Sequence, residues 1–72
     1  MAESLLLIEG SVDDESLRSR SLRNAKQLVF GRFGNGHVVH LGLNSLDDLA
    51  GAITDLSKVA GVTAITTLAI RK

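Results

Sequence analysis

His37 and His40 are the only histidines in the chain, and a proton-transfer or metal site would have to start from them. Three residues apart on a segment of β character, they point to opposite faces of a strand. They therefore form no local chelating pair. The carboxylate pairs Asp13-Asp14 and Asp47-Asp48 each precede a helix-forming segment, where an Asp caps exposed backbone N–H groups, so capping explains them without acid/base chemistry. None of the serines lies in a G-x-S-x-G elbow. With no cysteine, the chain has no disulfide, thiolate metal site or thiol nucleophile. These residues give no catalytic site, no metal site and no cofactor. The one enzymatic alternative is a small dimeric α+β barrel, in which His40 would be the first residue to test.

Gly31-Arg32-Phe33-Gly34 matches the short G-x-x-G that clamps nucleic-acid backbone between two helices, and Gly36 extends the spacing. Here the glycines run into a hairpin turn, and no helix opens after them as a dinucleotide fingerprint requires. An RNA-recognition sheet would display aromatic rings on its first and third strands. The segments in question, Leu5 to Gly10 and His37 to Leu41, carry none. Eight basic and eight acidic groups give a formal net charge of zero, which argues further against a nucleic-acid partner.

Charge is nevertheless uneven along the chain. Glu3, Glu9, Asp13, Asp14 and Glu15 precede any base, and Arg18, Arg20, Arg23, Lys26 and Arg32 then follow without an acid. Helix electrostatics explains this pattern, with acids in a first turn and bases in later ones. The longest unbroken apolar run, Leu5 to Ile8, is far below the roughly 20 residues that span a bilayer. Glu3 and Glu9 bracket it, so it does not read as a secretion signal. A cytoplasmic protein without a membrane partner is expected.

The elements follow from pattern. Ser4 to Glu9, closed by Gly10, reads as a strand covered on both faces. Ser11 offers a cap, with Asp14 three residues on, for a helix over Glu15 to Lys26, in which Leu17, Leu22 and Ala25 share an arc. Gln27 to Phe33 and His37 to Leu43 flank Gly34-Asn35-Gly36, the strongest hairpin signal present. Ser45 caps a second helix, with Asp48 at its third position. Leu46, Leu49, Ile53, Leu56 and Ala60 recur at helical spacing, and Gly61 is the stop. Val62 to Ile70 alternates and is rich in Val, Ile and Thr, marking a closing strand.

Two strand-helix-strand units in one uninterrupted chain predict a single domain over residues 1–72. The class is α+β, a ferredoxin-like βαββαβ sandwich with a four-stranded antiparallel sheet and two helices on one face. The first and third strands should be central. Two helices cover only one side of such a sheet, yet the strands carry apolar residues on both. The uncovered side should pack on a second copy, making a homo-oligomer, or on another protein, through Leu6, Ile8, Ile65 and Ala69.

Leu46 to Arg71 resembles the C-terminal half of the RAM domains of leucine-responsive and asparagine-type regulators and, more distantly, ACT domains. Asp48-Leu49 through Leu56, Val59-Ala60-Gly61-Val62-Thr63 and Thr66-Thr67-Leu68-Ala69-Ile70 carry the likeness, about a third of the chain. Ala60 stands where those families commonly have proline, and no DNA-binding helix pair precedes the domain. The resemblance implies a non-catalytic module that dimerises through its sheet and binds a small ligand, often an amino acid, near a subunit interface. The nearest positions here are Gly10, Ser11 and Gly61. The expectation is a self-associating regulatory or scaffolding module. The alternative is an adaptor that recruits a partner through its open sheet or an edge strand.

Overall fold

The computed structural model describes residues 2–72. Four strands, β1 (Ala2–Gly10), β2 (Ala25–Phe33), β3 (Gly36–Leu43) and β4 (Val62–Arg71), form one antiparallel sheet in the order β2-β3-β1-β4. Helix α1 (Asp14–Arg18) joins β1 to β2, and a 3-10 turn (Leu46–Asp48) leads into helix α2 (Leu49–Ser57) between β3 and β4. The molecule is α+β, with β1 and β3 central. Among the described residues no helix is long and apolar enough to cross a membrane.

Period-two alternation decides which strand residues are buried. Ala2, Ser4, Leu6 and Ile8 of β1 and Val39, Leu41 and Leu43 of β3 turn to one face. They form a single core with Leu17, Ala52, Leu56 and Val59 from the helical layer. Leu6, Ile8, Leu17, Val39, Leu41 and Leu56 are completely buried. Removing each such side chain from water stabilises the fold by about 1.5 to 3 kcal/mol. Ser4, the polar residue that β1 turns to this face, donates its hydroxyl to the Ala69 carbonyl at 3.0 Å.

The first helix is far shorter than the Glu15 to Lys26 expected. It ends at Arg18, and β2 begins at Ala25, two residues ahead of the predicted strand. Serines compete for backbone hydrogen bonds and weaken helix propagation, and Ser19 is the C-cap. Asp13 is the N-cap, not Ser11: its carboxylate accepts the Ser16 N–H at 3.1 Å. The Gln27 amide donates to the Leu17 carbonyl at 3.1 Å, which also accepts the Arg20 N–H at 3.3 Å, so side chain and backbone together close the helix end. Leu22 and Ala25 still pack on the core, but from irregular and extended chain.

The expected Ser45 cap is present, its N–H donating to the Asp48 carboxylate at 3.3 Å, but it opens the 3-10 turn and α2 itself begins only at Leu49. Its buried face is rotated from the expected one. Within the helix Ala52, Asp55 and Leu56 are buried and Leu49 and Ile53 half-buried; the helix stops at Ser57, short of the expected Ala60, so Val59 is buried and Ala60 exposed from the turn that follows. The hairpin forms at Gly34-Asn35 between the paired Phe33 and Gly36, with Gly34 at φ +60° supplying the positive φ that a tight primed turn needs.

Candidate functional site

The helices cover only the Leu6–Ile8 side of the sheet, so the opposite side is left uncovered. Register places Glu3, Leu5, Leu7 and Glu9 of β1 there, beside Gly36, Val38, His40 and Gly42 of β3. Val29, Gly31 and Phe33 of β2 continue the face on one flank, and Ala64, Thr66, Ala69 and Arg71 of β4 on the other. Leu5, Leu7 and Val38 at its centre are half-buried by their neighbours. Val29 and Phe33 stand 61% and 70% exposed. A β-bulge between Gln27 and Val29 swings Leu28 across Gly42, where it occupies the space a side chain on Gly42 would need.

The residues expected to make this surface are mostly elsewhere. Leu6 and Ile8 are completely buried under the helices, and Ile65 packs against the same core from β4. Of the four, Ala69 alone lies on the open face. The cause is parity: with Leu5, Leu6, Leu7 and Ile8 all apolar, no alternation marks which pair faces the helices. Leu5 and Leu7 are the outward pair.

Three polar groups of this face meet at one corner. The His40 Nε2 lies 2.7 Å from the Glu3 Oε1, and the Arg71 Nε lies 3.7 Å from the Glu3 Oε2. They flank a trough of about 320 Å³ whose floor includes Leu5 and Ala69. Phe33 sits at the diagonally opposite corner, on the other edge strand and at the hairpin end.

A second concavity, about 1100 Å³ and wide open, lies at the hairpin end of the sheet. Gly10 and Ser11 line it, together with Arg32, Asn35, His37 and Thr63. Gly61 does not line it; it abuts these residues from behind. A Cβ on Gly10 would collide with the Gly61 carbonyl, and one on Gly61 with the Ser11 carbonyl. Both glycines have positive φ, +132° and +94°, so the close approach of the two backbones requires glycine at each. The structure thus brings Gly10, Ser11 and Gly61 together.

Beside this cleft lies a junction that capping arguments miss. Asp14 receives Arg32 through two hydrogen bonds of 3.1 Å, and the His37 Nε2 is 2.5 Å from its Oδ1. The Arg32 guanidinium, and then His37, hold the Asp14 carboxyl below its usual range, and Asp14 in turn raises Arg32. His37 is buried against Phe30, ring centroids 5.3 Å apart, and its Nδ1 is buried with no hydrogen-bond partner. The two histidines do face opposite ways, His37 under the helical layer and His40 on the open face. Strand parity separates them already in the sequence. Their carboxylate partners, distant along the chain, left no local signal.

Among the described residues no group of three or more His, Cys, Asp or Glu side chains could hold a metal ion. The chemistry available is a pair of His–carboxylate contacts, one buried and one at the rim of an apolar trough. No protein-family model matches this chain, nor does any curated protein or solved structure, so its function has to be argued from this geometry.

Proposed function

We propose that this chain is a ferredoxin-like, non-catalytic module that self-associates through its open sheet and serves a regulatory or scaffolding role. One observation carries the reading: the middle of the uncovered face is apolar, with Leu5, Leu7 and Val38 at its centre and Val29 and Phe33 protruding beside them. A soluble sheet that ended in water would place polar residues at these positions. A second copy fits the area available. The two longer dimensions of the molecule are 30 and 21 Å, and a face within that outline reaches at most the ~600 Å² per partner at the small end of specific interfaces.

Light scattering over a dilution series tests this directly. A dimer that dissociates on dilution supports the reading, whereas a strict monomer at hundreds of micromolar overturns it and favours an adaptor awaiting another protein.

The cleft lined by Gly10 and Ser11 supports a ligand-responsive form of the same module, because it opens at the hairpin end beside Leu7 and Phe33, where a second copy would wall it in. Amino acids are the first ligands to screen by thermal shift. A ligand at 100 times its dissociation constant adds about 2.7 kcal/mol of stability. The absence of any shift leaves the scaffolding role alone.

A further inference from the structure

Among the described residues Phe33 is the most exposed of the large apolar side chains, at 70%, and the other phenylalanine, Phe30, is packed against the core. It projects from the β2 corner of the open face at the hairpin end. The trough flanked by Glu3, His40 and Arg71 occupies the corner diagonally across that face, between β1 and β4 at the far ends of the strands. An apolar cavity of about 150 Å³ accepts benzene, so 320 Å³ takes a phenyl ring with room to spare. Leu5 and Ala69 offer it an apolar floor. The His40 imidazole and the Arg71 guanidinium, both tethered to Glu3, stand at the rim where they can stack on an aromatic face.

We infer that the open face docks a second copy of this chain with Phe33 of each protomer seated in the Glu3–His40–Arg71 trough of the other. A two-fold axis lying in the plane of the face and oblique to the strands exchanges its diagonal corners. One rotation therefore puts both rings into both troughs. Crossed sheets of this kind are an established mode of sheet packing. The arrangement rests on the self-association proposed above and specifies how it occurs. It also gives both features a use: a protruding ring and an empty apolar trough are each unfavourable in water, and each removes the other from it.

The chain has no cysteine, so single cysteines can be placed without background. Asn35→Cys, in the turn beside Phe33 with the ring left in place, and Ala69→Cys are made separately and treated with a short bifunctional maleimide, alone and mixed. A cross-linked dimer that appears only in the mixture is the expected result, because each residue meets the other type across the interface. Phe33→Ala should raise the dimer dissociation constant about thirtyfold or more, as truncating an aromatic anchor does. Ala69→Trp, which fills the trough from within its own chain, should weaken association comparably while circular dichroism shows an intact fold. If the wild type dimerises but Asn35→Cys alone cross-links, or Phe33→Ala binds as tightly as wild type, the docking geometry is wrong and self-association stands. A wild type that is monomeric throughout removes both.

Discussion

Asp55 of α2 accepts three hydrogen bonds from Arg23: one from its main-chain N–H at 3.4 Å and two from its guanidinium at 3.3 Å each. The Asp55 side chain is only 10% exposed and Arg23 is 68% exposed, so the anchor is fixed and the strap lies outside. This contact pins the irregular segment between α1 and β2 against the second helix. It also explains why the chain leaves helical geometry before Ala25, since the Arg23 N–H is turned toward a distant carboxylate instead of a local carbonyl. Asp55→Ala should lower the melting temperature and raise hydrogen exchange in the 19–25 segment ahead of any change in the β1–β3 ladder. Uniform loss of protection across both would count against a local strap.

The same contact sets an acid limit. Arg23 holds the Asp55 carboxyl below its usual value, and Arg32 followed by His37 does so for Asp14. A carboxyl lowered in the folded state contributes stability that is complete above its unfolded value of about 3.9 and is lost as pH falls through the folded value. Unfolding titrations should therefore be flat near neutrality from these two groups and fall away below about pH 4. In Asp14→Asn/Asp55→Asn the acid slope should be shallower. An unchanged slope would assign the acid loss to other carboxylates.

Much of the architecture was readable because periodicity and turn chemistry agreed. Gly34-Asn35 between two β-rich runs fixed the hairpin, and Ser45 with Asp48 fixed the entry to the second helix. The first helix was not readable: Leu17, Leu22 and Ala25 fit a helical arc, and all three do pack inward, but only Leu17 does so from a helix. Burial of the same residues was compatible with two backbone paths, and the deciding contact, Arg23 with Asp55, spans 32 positions. The existence of an apolar open face was legible from composition. Its membership was not, since four successive apolar residues in β1 carry no parity, and the bulge that lays Leu28 over Gly42 has no local signature.

Gly51 lies inside α2, where a residue without Cβ costs helix stability. The nearest atom that an added methyl would meet is the Arg23 Nη2 at 3.7 Å, an ordinary contact. Gly51→Ala should therefore stabilise the domain by about 0.5 to 1 kcal/mol in urea unfolding. Gly10→Ala should do the reverse, because positive φ and the Gly61 carbonyl both oppose a side chain there. If Gly10→Ala proved neutral, the close backbone approach would be dispensable.

Leu6 and Leu7 are neighbours of the same size on the same strand, and the structure gives them opposite fates. Leu6 is completely buried beneath the helices, whereas Leu7 looks out across the open face opposite Val38. Leu6→Ala leaves a cavity in a closed core and should cost about 2 to 5 kcal/mol of folding stability. Leu7→Ser removes apolar area only from the surface assigned to association, so its unfolding midpoint at low protein concentration should stay near wild type while the dimer weakens. Concentration-dependent melting separates the two terms, because a dimer's stability rises with protomer concentration and a monomer's does not. Were Leu7→Ser to unfold the isolated chain as severely as Leu6→Ala, the outward side of β1 would be serving the monomer's own core, and the open face would lose its claim to a partner.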